Sequence, residues 1–262
     1  MDLDLSGKRA IVCGSTQGIG KASAIELASL GANITLVSRN EERLNGVLNE
    51  LPQSGIQKHH ILIADFQNAE MLKDKVNLYI NEGNPATILV NNTGGPPGGP
   101  IIDASYDEFK KAFEAHLHCS HILVKALLPE MKSLGYGRII NIISTSVKIP
   151  IPGLGVSNTT RGAMASWSKT LSIELAEYGI TVNNVLPGFT KTGRLDSIIQ
   201  SRASSSGKSF EEAENSMIST VPAGRLGKSE EVAALIAFLA TPAAGYISGT
   251  SIPVDGARTG AF

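Results

Sequence analysis

The chain has 262 residues, 42% of them hydrophobic and 18% charged, which is enough apolar material to bury a core within one α/β domain. Lys plus Arg number 23 against 24 Asp plus Glu, so no net field draws nucleic acid or an anionic membrane, and small molecules or copies of the chain itself are the expected partners. Two cysteines, Cys13 and Cys119, exclude a disulfide framework or a Cys-rich zinc site and suit a reducing compartment, so a cytoplasmic location is expected.

Residues 1–8 show no basic region followed by an apolar run, and no secretory signal is expected. Apolar runs of strand length then alternate with helix-period segments, giving strands at 9–13, 33–37, 60–63, 87–90, 137–143, 181–186 and 250–254. Continuous Val/Ile/Leu strands separated by helices imply a parallel sheet covered on both faces, and right-handed crossovers make it doubly wound. The prediction is therefore a single α/β domain over 1–262, a Rossmann-type seven-stranded parallel sheet. The long uncharged stretch 232–254 reads as helix, turn and buried strand, because Pro242, Gly245 and Gly249 interrupt it.

Two segments break the alternation. Gly94-Gly95-Pro96-Pro97-Gly98-Gly99-Pro100 follows the fourth strand and predicts a fixed loop at the carboxyl edge of the sheet. The polar, Ser-rich stretch 201–219 is long enough for a mobile flap, which makes 191–228 a candidate substrate lid.

The first strand runs into Gly14-Ser15-Thr16-Gln17-Gly18-Ile19-Gly20 and then a helix, so glycines stand where backbone must approach a pyrophosphate. The second strand ends in Ser38-Arg39, without the acidic residue that grips an adenosine ribose. A guanidinium at Arg39 suits a 2′-phosphate, and neutral Ser38 does not repel it, so NADP(H) is expected over NAD(H).

With this turn, Asn91-Asn92-Thr93-Gly94 after the fourth strand and Pro187-Gly188-Phe189-Thr190-Lys191-Thr192 after the sixth, the chain resembles the short-chain dehydrogenase/reductase family over almost its whole length. Asn92-Thr93-Gly94-Gly95-Pro96-Pro97 together with Ser157-Asn158-Thr159-Thr160-Arg161 resembles a divergent subgroup described as 3-oxoacyl-carrier-protein-reductase-like. The resemblance implies that Asp65 and Phe66 meet adenine. It places Asn92, Thr93 and Gly94 along the ribose, and Pro187, Gly188, Thr190 and Thr192 at the nicotinamide carboxamide.

The family passes a hydride between nicotinamide and a carbonyl carbon, using a Tyr to exchange the proton, a Ser to polarise the carbonyl, a Lys beside the Tyr, and an Asn in a proton relay. The family Ser is Ser144, but the Tyr position falls on Ser157, the Lys position on Arg161 and the relay Asn on His116. A serine hydroxyl is a far weaker acid than a phenol, and a guanidinium with a pKa above about 12 keeps its proton at neutral pH. Three readings remain open. Arg161 holds the ribose and stabilises oxyanion charge beside Ser144 and Ser157, with His116 or water supplying the proton; the chain binds dinucleotide without turnover, as a sensor or regulatory subunit; or the scaffold runs a different reaction.

His116, titrating near neutrality and lining the cleft, is the expected proton source. His118, His121 and Cys119 complete no metal-ligand spacing, so no metal is expected. Predicted helices at 107–134 and 162–178 carry more apolar residues than one sheet face needs, among them Leu123, Leu127, Leu128, Trp167 and Leu171. This predicts a homo-oligomer, a dimer or tetramer.

Overall fold

The computed structural model describes residues 1–260, and the last two residues of the expected 1–262 domain lie outside the described residues. Seven strands form one parallel sheet: β1 (Arg9–Cys13), β2 (Asn33–Ser38), β3 (His60–Ile63), β4 (Ile88–Asn91), β5 (Gly137–Ile142), β6 (Ile180–Pro187) and β7 (Ser251–Val254). Their order is β3-β2-β1-β4-β5-β6-β7, so the winding direction reverses between β1 and β4. At that reversal the carboxyl ends of neighbouring strands lead away to opposite faces and leave a crevice.

The two-residue alternation of strand side chains sorts the core into two layers. Ala10 and Val12 of β1 join Ile34, Leu36, Ile140 and Val185 under α1 (Gly18–Ser29), α2 (Glu41–Leu48) and α9 (Ser229–Ala240). Ile11 and Cys13 join Leu89, Ile139 and Val182 under α3 (Ala69–Asn81), α5 (Cys119–Ser133) and α6 (Gly155–Leu175). The second layer also absorbs Leu123 and Leu127 completely, with Leu128, Trp167 and Leu171 packed against it. Part of the apolar surplus on these helices is thus spent inside the chain.

A polar seam crosses the sheet. Asn91, Asn141, Asn184 and Ser251 are aligned by strand register. Asn91 donates to Asn141 Oδ1 at 2.8 Å, Asn141 to Ser168 Oγ at 2.7 Å, Ser168 to Asn184 Oδ1 at 2.7 Å, and Asn184 to Ser251 Oγ at 3.1 Å. Nearly every buried amide group is therefore spent on a neighbour, the condition under which buried polar groups are tolerated.

Three segments differ from the sequence expectation. The helix at 107–134 is not continuous: α4 (Tyr106–Phe113), N-capped by Ser105 with Glu108 completing a capping box, passes through a π-helical turn at Glu114–His118 before α5. One extra residue in the turn re-aims what it carries, and it carries His116. Helix α6 starts at Gly155 rather than 162, so Ser157 and Arg161 are successive positions of one helical face. The stretch 201–219, expected as a flap, holds the end of α7 (Gly193–Ser206) and all of α8 (Phe210–Ile218), which share a small apolar core through Leu195, Ile199, Ala203, Ala213 and Met217. No described helix is long and apolar enough to cross a membrane.

Candidate functional site

A cleft of about 530 Å³ opens along the carboxyl edge of the sheet, from the end of β2 across the β1/β4 reversal to β6 and α7. At one end the strand-to-helix turn supplies Gly14, Thr16, Gln17, Gly18 and Ile19 to its wall. The glycines are required sterically. Gly14 has φ +58, and a Cβ there would lie 2.7 Å from the Asn92 amide; at Gly20 a Cβ would lie 2.3 Å from the Gly14 carbonyl oxygen. Gly20 thus closes the turn from behind and does not line the cleft. Ser15 is also turned inward, fully buried with its hydroxyl 3.5 Å from the Val37 carbonyl, so only its backbone serves the turn.

The N-terminus of α1 has no acidic residue in its first turn and no side-chain cap from Gln17. Its partial positive charge and free N–H groups fit a pyrophosphate. Ser38, Arg39, Asp65 and Phe66 line the same end, and Arg43, in the first turn of α2, joins them. Asn40 orients that turn by accepting the Arg43 backbone N–H at 2.8 Å. Arg43 was missed by the sequence reading, although a second arginine so soon after Arg39, at the start of the next helix, was a usable signal.

Asn92, Thr93 and Gly94 form the middle of the wall, and Pro187, Gly188, Thr190 and Thr192 the part beyond β6. Asn92 donates to the Gly14 carbonyl at 3.3 Å, which ties the β4 loop to the glycine turn. Thr192 caps α7 by accepting the Leu195 N–H at 3.3 Å.

Ser144, Ser157 and Arg161 meet at the far end of the cleft. The Ser144 oxygen accepts the Ser146 N–H at 3.0 Å, fixing the turn after β5. Ser157 lies one helical turn before Arg161 on α6. Arg161 is 9% exposed and donates from Nη1 to the Ile142 carbonyl at 2.7 Å. Burial and then the charge of Arg194 pull its pKa down to about 10, below the value assumed from sequence but still well above neutrality.

His116 is not where the sequence reading put it. It is 3% exposed and stands behind the wall, its Nδ1 hydrogen-bonded to the Thr93 hydroxyl that does line the cleft. Burial first, then the charge of Arg161, holds its pKa well below the ordinary imidazole value, against a raising contact with the Gly94 backbone. It is therefore a neutral imidazole at physiological pH, and the expected role of proton source finds no support in this geometry. The neighbouring histidines go elsewhere: His118 pairs with Glu114 at 2.9 Å, and His121 meets the edge of Trp167 with ring centroids 6.3 Å apart.

Residues 14–259 match a family model described as enoyl-(acyl carrier protein) reductase, a match that spans the whole cleft. The chain belongs to the short-chain dehydrogenase/reductase family. Within it, the chain is 33% identical over 260 residues to a tropinone reductase homolog of Arabidopsis thaliana, covering 97% of this chain and 93% of that one. It is 34% identical over 253 residues to the 3-oxoacyl-[acyl-carrier-protein] reductase FabG of Haemophilus influenzae, covering 96% and 98%. Among solved structures, YwfH, described as an NADPH-dependent reductase involved in bacilysin biosynthesis, superposes with a TM-score of 0.92 at 29% identity, covering 98% of this chain and 100% of that chain. L-sorbose reductase from Gluconobacter frateurii, complexed with NADPH and L-sorbose, gives 0.92 at 28% identity over the full length of both. Carbonyl reduction as a reaction class and a fold of the short-chain dehydrogenase/reductase type thus rest on relatives that match end to end.

Proposed function

We propose that this short-chain dehydrogenase/reductase is one dinucleotide-binding domain that uses NADP(H) in preference to NAD(H) to reduce a carbonyl, a 3-oxoacyl thioester or similar ketone, with a guanidinium in place of the Tyr-based acid. The observation that carries the reading is Arg161: a buried cation, tethered to the Ile142 carbonyl, facing the same cleft as Ser144 and Ser157.

The dinucleotide fits the residues present, with Gly14 to Ile19 and the α1 N-terminus for the pyrophosphate and Arg39 and Arg43 for a 2′-phosphate. The NADPH described for two similar structures supports that preference. When bound, the nicotinamide supplies the hydride. Ser144 and Ser157 hydroxyls orient the carbonyl oxygen, and Arg161 stabilises the negative charge that gathers there, in surroundings dry enough for one charge-assisted hydrogen bond to count. Neither serine nor Arg161 releases a proton at neutral pH, so the oxygen takes its proton from water. Helices α7 and α8, within 191–228, cover the substrate end as a lid, and exposed Ile173 and Tyr246 leave apolar surface for a homo-oligomer.

The test is a titration with NADPH and NADH followed by NADPH oxidation against acetoacetyl thioesters, diketones and quinones. Oxidation that falls by two orders of magnitude or more in Arg161→Ala supports the reading. Neutral His116 favours a second one, dinucleotide binding without turnover, and tight NADPH binding with no reduction of any carbonyl would establish it instead.

A further inference from the structure

The far end of the cleft is crowded with guanidiniums. Arg161 of α6 and Arg194 and Arg202 of α7 all line it, and Arg258 lies directly behind, its guanidinium carbon 4.1 Å over the ring of the lining residue Phe189. Among the described residues, none of the four forms an ion pair with a carboxylate. Arg161 feels Arg194 and Arg258 feels Arg202, each pKa falling through burial and then through a like charge, and Asp255 reaches only Arg258. Arg161 is buried, Arg202 and Arg258 are half-buried and Arg194 closes the rim, and like charges brought together without a counterion carry a repulsion that an anion placed among them relieves.

The cofactor does not provide that anion. Its pyrophosphate belongs to the 14–20 turn and the α1 N-terminus, its 2′-phosphate to Arg39 and Arg43 at the opposite end, and the nicotinamide ring carries no negative charge. Arg194 is also the most deliberately placed of the group. It sits exposed at the rim, donates from Nη2 to the Pro96 carbonyl at 2.7 Å, and packs against Gly95, where a Cβ would come within 3.3 Å of Nη2. One donor is spent on that tether and the other guanidinium N–H groups remain for a ligand. Arg194, Ile198 and Arg202 follow each other at spacings of four on α7, a stripe about 12 Å long. The same cleft is also lined by the apolar side chains Ile143, Ile151, Leu154 and Phe189.

Resting on the reductase reading above, we propose that the substrate is a free oxo acid with an apolar body, its carboxylate held by Arg194 with support from Arg202 while Arg161 meets its carbonyl oxygen. A neutral ketone offers Arg194 no carboxylate, so the free acid narrows the substrate class of the reading above. A planar guanidinium matches a carboxylate through two parallel N–H donors, and that geometry favours arginine over lysine at such a place.

The enzyme–NADP+ complex, which has no hydride to give, is titrated by calorimetry with 2-, 3- and 4-oxohexanoate and with the methyl ester of each. The same six compounds are assayed for NADPH oxidation. At least one acid is expected to bind about tenfold or more tightly than its ester. Arg194→Gln, which keeps a donor for Pro96, removes that preference while ester affinity and the NADPH Kd stay within about threefold, and Arg194→Lys restores part of it. Acids that bind no better than esters in all three pairs, a preference that survives Arg194→Gln, or a loss of NADPH affinity equal to the loss of acid affinity would each overturn the proposal. Acid preference in binding with no NADPH oxidation by any compound upholds the acid site and removes the reductase reading. NADPH oxidation as fast with esters as with acids does the reverse.

Discussion

Replacing His116 by Asn, the residue the family places in its proton relay, tests the electrostatics of the cleft wall through stability alone. In the folded chain His116 is 3% exposed, faces Thr93 and the Gly94 backbone from the β4 loop, and feels the charges of Arg161 on α6 and Arg194 on α7, so its pKa lies well below the ordinary 6.5. The unfolded chain has no such constraint and protonates near 6.5. Because the folded pKa is the depressed one, the unfolded state binds the extra proton, and the stability this group contributes is full above pH 6.5 and lost as pH falls below it. Between pH 7.5 and 5.5 the unfolded imidazole gains most of one proton that folded His116 resists, a difference on the order of 1 kcal/mol. Equilibrium urea unfolding of both proteins at the two pH values isolates this residue, since every other titrating group, including His60 with its own lowered pKa, is shared. The unmutated chain should lose on the order of 1 kcal/mol more than His116→Asn on acidification. Equal losses would show that His116 takes up its proton in the fold and that the wall is not positive in the way described.

Two substitutions probe other parts of the structure. Arg39→Ala should cut the preference for NADPH over NADH by about tenfold, and the double change with Arg43→Ala should remove it, as read by fluorescence titration of the two cofactors; an unchanged ratio would separate both residues from the 2′-phosphate. Asn184→Ala deletes an acceptor for Ser168 and Asn141 and a donor to Ser251 in the middle of the sheet, and should cost about 2–4 kcal/mol by urea midpoint with little change in slope.

The strands were legible because each is a short, nearly continuous apolar run, and observed ends fall within a residue of the expected ones. The glycine turn was legible for steric reasons: only glycine fits at Gly14 and Gly20, so the positions advertise themselves. What stayed hidden depends on three-dimensional register. A π-helical turn at Glu114–His118 leaves the apolar pattern of 107–134 looking continuous, yet it decides that His116 lies behind Thr93 instead of in the cleft. Ser157-Asn158-Thr159-Thr160 has poor helix propensity, and tertiary packing overrides it in α6. The Ser-rich stretch 201–219 did carry one readable signal, Ser209 with Glu212 three residues on, which forms the capping box of α8. Nothing in the sequence marks Arg194 and Arg202 as neighbours of Arg161, because only the fold of α7 across the cleft brings them there.

The replacements at the three family positions act together. A Lys in place of Arg161 would share the burial and the nearby Arg194 charge that already bring the guanidinium down to about 10, and an amine starts from a lower value, so Arg secures a permanent cation where Lys would risk losing its charge. Burial first, and then that charge, keep His116 neutral, which removes the remaining imidazole as an acid. In the proposed reaction Ser157 then needs only to orient the carbonyl, since no phenol has to be activated. A reaction that depends on a fixed charge and on water should show a kcat/KM for reduction that is level from about pH 6.5 to 9, then falls as pH approaches about 10 and Arg161 loses its proton. Arg161→Lys should move that fall to lower pH while retaining part of the rate. A titration limb between pH 6.5 and 9 in the unmutated enzyme would reveal an ordinary acid at work and refute catalysis by a fixed guanidinium.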